Sequence, residues 1–226
     1  MTAPTGDAPP LHGYRGDAVT PPPAARPRGL TVAVSREAGA RGESIARRAG
    51  RDLGWQVFDA DALDHLGRDE AAREELLADL PAAVREWAAA EAATAVRRRR
   101  LDPASAAGVA VRLMVALAAR GEVVLVGRGA GFLLPAASTL HVRVVAPRAE
   151  RVAYLADWLR LAPAEAAAEL ADRDAKRDRF LADVIGVADS ADPCGYDLVL
   201  NSNRLGEEAA AAVIVQAVRH RHGRDE

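Results

Sequence analysis

The chain has 226 residues, half of them hydrophobic but only 4% aromatic, so its core must be built mainly from Ala, Val and Leu. A net charge of −2 gives no global attraction to nucleic acid or an anionic membrane, and no apolar run approaches the ~20 residues of a membrane span. The single cysteine, Cys194, excludes an intramolecular disulfide framework and suits a reducing interior. A cytoplasmic protein with no nucleic-acid or membrane partner is therefore expected.

Residues 1–28 are rich in Pro, Gly and Ala, show no periodicity and read as a disordered tail; residues 29–220 read as one folded domain and 221–226 as a polar tail. Thr31 to Val34 is a β-branched run typical of a buried strand. A loop carrying Gly39 and Gly42 follows, then a helix with Ile45, Ala46, Ala49 and Leu53 on one face, ended by Gly54. Trp55 to Phe58 gives a second strand, and Asp59 caps a helix beginning with Asp61 and Asp64. From Asp69 to Arg100 the chain is helical, with a break near Pro81 and a solvated basic run, Arg97 to Arg100, at its end. Asp102-Pro103 restarts a helix that Gly121 ends. Glu122 to Val126 is a strand running into a glycine-rich loop, Gly127 to Gly131. Leu140 to Ala146 is the fourth strand and Pro147 opens a helix. Pro163 to Phe180 is helical and charge-dense, Asp197 to Leu200 is the last strand, and Glu207 to His220 closes the fold. Continuous apolar strands alternating with helices predict an α/β fold whose parallel sheet is covered on both faces.

Ligands of open α/β sheets bind beyond the carboxyl ends of the strands. The strand ends deliver Ser35-Arg36-Glu37, Asp59, Gly127-Arg128, Pro147-Arg148 and Asn201-Ser202 to one rim. Lys176 is the only lysine in the chain, so phosphate chemistry here would rest on guanidinium groups and backbone amides. Gly42-Glu43-Ser44 matches the end of the phosphate-loop pattern G-x-x-x-x-G-K-[ST], with Glu43 in the lysine position and Glu37 in place of the first glycine. Arg173 and Arg177 lie four apart on one helix face, as in an exposed ion-paired helix or a lid closing over phosphates. The simpler readings of Asp59 and Arg128 are a helix cap and a pairing with a neighbouring acid. No zinc site and no serine–histidine–aspartate arrangement emerges from the spacing.

Ser35-Arg-Glu-Ala-Gly-Ala-Arg-Gly42, Val124-Leu-Val-Gly-Arg-Gly129, Val145-Ala-Pro-Arg148 with Arg151, the Arg173/Arg177 stretch, Tyr196-Asp-Leu and Asn201-Ser-Asn-Arg-Leu-Gly206 together resemble the cytidylate kinase-like family of P-loop kinases. The resemblance runs in order from about residue 29 to 220. It implies a five-stranded parallel sheet with a helical insertion that binds a nucleoside monophosphate, and a lid. It implies transfer of the ATP γ-phosphoryl group, with Mg²⁺, to a CMP-like nucleotide or related small molecule. Carried over by position, Gly39, Ala40, Arg41, Gly42, Glu43 and Ser44 would wrap the ATP phosphates, and Ser44 would help hold Mg²⁺. Arg36, Asp59 and Arg128 would meet the acceptor. Arg41, Arg148, Arg173 and Arg177 would serve the transfer. Two alternatives stand beside it: a nucleotide-binding module without turnover, favoured by Glu43, and a dinucleotide-binding oxidoreductase, favoured by the position of Asp59 after the glycines. The sequence leaves the oligomeric state open.

Overall fold

The strand β1 (Thr31–Arg36) is the central strand of the sheet, and its alternating side chains set the layers of the molecule. The computed structural model describes residues 29–78 and 80–222; the expected tail 1–28 and residues 223–226 lie outside them. Val32 and Val34 point to one face, where they pack with Val124, Val126, Val142 and Val144 against Ile45, Ala49, Ala211 and Ile214. Ala33 points to the other, towards Leu113, Met114, Leu117 and Leu125. Each such Val or Leu contributes about 1.5–3 kcal/mol on burial.

The other strands are β2 (Gln56–Phe58), β3 (Val123–Val126), β4 (Thr139–Val145) and β5 (Leu198–Asn201). All pairings are parallel, in the order β2-β3-β1-β4-β5. The doubly wound dinucleotide-binding sheet runs 3-2-1-4-5-6. Here β3 lies between β2 and β1, which overturns the oxidoreductase alternative. Because the β3-to-β4 connection crosses over β1, the carboxyl end of β1 sits at the switch point where such sheets take ligands.

Helices α1 (Gly42–Leu53) and α9 (Ser202–His222) cover one face. The other face carries α5 (Ala106–Arg120), with α2 (Ala60–Arg68), α3 (Glu70–Ala78) and α4 (Ala82–Arg98) inserted between β2 and α5. Helix α5 is buried on nearly all sides because α4 packs outside it, so it can be apolar almost throughout. The short α6 (Ala130–Leu133) follows β3. Helices α7 (Arg148–Leu159) and α8 (Pro163–Phe180) form a hairpin whose Leu155, Ala166 and Leu170 pack on Ala38, next to the end of β1.

The expected elements are present, with three differences. Helix α5 starts at Ala106, not at Asp102-Pro103. The Asp102 carboxylate accepts from the Ala104 amide at 2.9 Å, forming a turn of its own, and the Ser105 hydroxyl is the true cap, accepting from Gly108 N at 3.1 Å. The glycine-rich stretch after β3 is not all loop, because Ala130 begins α6. Helix α9 reaches His222 and is interrupted at Gly206 (φ 75°, ψ 168°), so the regular helix begins at the expected Glu207. Among the described residues no helix is long and apolar enough to cross a membrane.

Candidate functional site

A cleft of about 670 Å³ opens at the carboxyl ends of β1 and β3. Its floor is Ser35 to Glu37 and Gly127 to Gly129, and its walls are Arg143 and Tyr196 on one side and the end of α8 on the other. Five cations border it, Arg36, Arg128, Arg143, Lys176 and Arg177, facing the acids Glu37, Asp174, Asp178 and Asp189.

Arg36 is the most exceptional of these. Its guanidinium lies across Gly127, whose φ of 84° and missing Cβ are both required, since any Cβ would strike Arg36 Nη1. Burial lowers the Arg36 pKa to about 10; neighbouring Arg177 lowers it too, and Glu43 and Asp59 offset part of this. The group therefore stays charged at neutral pH. Among the described residues no hydrogen bond or ion pair engages it. A desolvated cation without a paired acid costs several kcal/mol, a cost that an incoming anion would offset. Burial also lowers the Arg177 pKa, and its Nη1 sits 3.5 Å from Asp174 Oδ1. Arg128 donates from Nη2 to both Asp64 oxygens at 2.8 and 2.6 Å and lies 5.6 Å from the centre of the Phe180 ring. Its buried Nε has no hydrogen-bond partner among the described residues, and its backbone is left-handed at φ 53°.

The loop from Glu37 to Arg41 is fastened by Arg151, which is 9% exposed. Arg151 donates to Ala146 O at 3.1 Å, Ala38 O at 3.2 Å and Asp174 Oδ2 at 2.6 Å, and lies 3.4 Å from Glu37. The Ala38 amide donates back to Asp174 Oδ1 at 2.8 Å, and the Ala146 amide to Glu37 Oε2 at 3.2 Å. The ends of β1 and β4 and the middle of α8 thus share one clamp. Gly39 (φ 73°) lets the loop approach it, since a Cβ there would lie 2.6 Å from the Arg151 carbonyl oxygen. Beyond the clamp, α1 begins with no side-chain cap, so its first-turn amides, Gly42, Glu43 and Ser44, are left for an incoming acceptor. Arg41, left-handed at φ 58°, is exposed and stands 5.0 Å from the Tyr154 ring centre. Glu43 pairs with Arg47 at 2.9 Å, and Arg47 also holds Asp59 at 2.6 Å.

Of the residues named from sequence, the structure gathers Arg36, Arg128 and Arg177 in the cleft. Gly39, Ala40, Arg41, Gly42, Glu43 and Ser44 form the adjoining loop and helix start, outside the cleft lining. Arg148 is exposed at the start of α7. Arg173 does not line the cleft; it donates to Glu169 at 2.6 Å and lies 5.7 Å from the Trp158 ring centre. Asp59 caps α2, accepting from Ala62 N at 2.9 Å, and Arg128 pairs with Asp64, the two simpler readings above. Sequence reading missed Arg143, Asp174, Tyr196 and the Ser35–His141 pair, whose Oγ and Nε2 stand 2.9 Å apart across 106 residues. Only the β1–β4 register, which pairs Ala33 with His141 and Ser35 with Arg143, brings that serine and histidine together. Among the described residues no cluster of three or more His, Cys, Asp or Glu could hold a metal ion.

A family model described as the cytidylate kinase-like family matches residues 31–204, well over half of the chain. Among solved structures, an uncharacterized protein from Eubacterium ventriosum superposes with a TM-score of 0.60 at 14% identity, covering 85% of this chain and 99% of that one. A shikimate kinase from Bacteroides thetaiotaomicron gives a TM-score of 0.48 at 13% identity, covering 84% and 98%. No curated protein sequence matches.

Proposed function

The chain belongs to the cytidylate kinase-like family, and from that premise we propose that it is an ATP-dependent phosphotransferase acting on a nucleoside monophosphate (CMP-like) or a related phosphorylated small molecule. The observation that carries the reading is Arg36, a half-buried, desolvated cation with no ion pair among the described residues, at the switch point of the sheet, with Arg128 and Arg177 beside it. In this reading the three arginines hold the acceptor's phosphate. The uncapped start of α1 and Arg41 receive the phosphates of ATP. An acceptor oxygen attacks the γ-phosphorus in line, the bond to the β,γ-bridging oxygen breaks, and ADP leaves with that electron pair. Ser44 would help hold Mg²⁺, which would supply charge neutralisation during the transfer. Arg148 and Arg173, which do not line the cleft, take no step. The test is ADP release by the purified chain with ATP, Mg²⁺ and a panel of nucleoside monophosphates. Acceptor-dependent release that is lost in Arg36→Ala supports the reading; acceptor-dependent release undiminished in that variant removes Arg36 from it.

A second reading, a nucleotide-binding module without turnover, is favoured by one observation. Glu43 stands where the phosphate-loop lysine would be and is ion-paired to Arg47. ATP binding without acceptor-dependent ADP release would select it.

A further inference from the structure

His141 is the buried histidine of the described residues, and the proposed transfer gives it no task. Its ring stands on β4 against Gly131, where any Cβ would strike the imidazole, with Phe132 edge-on at 4.7 Å and Tyr196 at 4.4 Å. Nδ1 lies 2.9 Å from the Gly195 carbonyl oxygen, which can only accept, so Nδ1 carries the ring proton. Burial lowers the pKa to about 4, with Asp197 and Arg143 acting in opposite senses, so the ring is neutral at pH 7 and Nε2 is a bare acceptor. Nε2 is 2.9 Å from Ser35 Oγ, and the arrangement is satisfied only if the Ser35 hydroxyl donates to it. Ser35 borders the cleft, and among the described residues nothing donates to its oxygen. What it offers the cleft is therefore a pair of acceptor sites and no proton. General-base work is a poor fit, because a sealed imidazole with a lowered pKa takes up a proton reluctantly.

We infer that Ser35 is a specificity-determining residue: held as a pure hydrogen-bond acceptor by His141, it selects a phosphorylated ligand that presents a donor, an amino or hydroxyl group, at that point and disfavours one presenting a carbonyl oxygen. The inference rests on the reading that the neighbouring arginines bind phosphate. A donor would fill the open acceptor sites, whereas a carbonyl would face an oxygen with no proton to give and leave both unpaired.

Calorimetric titration of the full chain separates the two ideas. Inorganic phosphate reads the arginines alone. AMP against IMP and CMP against UMP exchange an amino group for a carbonyl, and the 2′-deoxy counterparts remove a hydroxyl. The wild type is expected to bind the donor member of at least one pair about tenfold more tightly. Ser35→Ala should bring that ratio close to one while leaving inorganic phosphate affinity in place. His141→Leu, which frees the Ser35 proton, should turn an amino preference towards the carbonyl member. Phosphate binding with no preference in any pair, or with a preference that survives Ser35→Ala, overturns the inference alone. Failure of every phosphate, inorganic phosphate included, to bind the wild type overturns the phosphate reading and this inference with it.

Discussion

The two sides of the carboxyl end of β1 are built in opposite ways. On the α1 side, the polar side chains are exposed: Arg41 leans on Tyr154, and Glu43 trades one surface ion pair with Arg47. What that side has for an anion is mostly backbone. On the cleft side, Arg36 and Arg177 are desolvated, and Arg36 is held over a glycine with no ion pair among the described residues. Exposed pairs contribute about 0–1 kcal/mol, whereas an uncompensated buried charge costs several. A lysine-to-glutamate difference is thus cheap on the first side, while the cleft keeps an expensive charge that a bound anion would relieve. In the proposed reading, the chain's structural investment lies in holding one anionic molecule beside β1, not in the loop whose consensus is incomplete.

The clamp joining the two sides is the place to break this contrast most severely. Arg151→Met would leave Asp174 and Glu37 without the guanidinium that both face, and a loss of about 3–5 kcal/mol is expected in urea unfolding. A loss under 1 kcal/mol would show that the loop and α8 are held by something else. The next largest effect is in acid. His141 takes a proton near its ordinary 6.5 when unfolded but only near 4 when folded, so the unfolded state binds more protons between those values. Its contribution is full above pH 6.5 and falls as the pH drops, by about 2 kcal/mol on reaching pH 5. Unfolding midpoints measured from pH 7.5 to 5 should decline in the wild type and stay much flatter in His141→Asn. Equal slopes would mean the ring is solvated.

How far the sequence could carry these regions follows from what each depends on. The strands were legible because a parallel sheet buried on both faces demands unbroken apolar runs, such as Val123 to Val126. Helix α8 was legible because Pro163 at its first position and a dense run of charges leave little else for the segment to do. The start of α5 was misjudged because the Asp102 carboxylate competes for a nearby amide, a local contest that propensity does not resolve. Convergence of Arg36 and Arg128 followed from topology, since all the parallel strands end on one rim. The divergence of Arg173 from Arg177 did not follow, because their shared helix face was overruled by Glu169 and by Trp158 of the neighbouring helix. Ser35 and His141 carry no local signal, and their meeting is purely a matter of sheet register.

Two smaller effects sharpen the contrast. Arg36→Met removes the unpaired charge and should stabilise the ligand-free chain by about 1 kcal/mol while abolishing phosphate binding, a trade visible as a raised Tm beside a flat titration. A lowered Tm would mean that Arg36 has a structural partner.

Glu43→Lys should change stability least. It breaks the pair with Arg47 and sets two cations four residues apart on α1, costing about 0.5 kcal/mol in thermal unfolding, with Arg47 still held by Asp59. Its value lies in the separate readout of ATP turnover. A lysine at this position restores the charge that the phosphate-loop pattern places near the β- and γ-phosphates. If the α1 side lacks only a cation, ADP release should rise by about tenfold, which is about 1.4 kcal/mol of transition-state stabilisation. If release is unchanged while ATP binds more tightly, the added charge serves ground and transition states alike, and turnover is limited elsewhere. The clamp formed by Arg151 and Asp174, which sets the path of the loop at Ala38, is then the part to vary next.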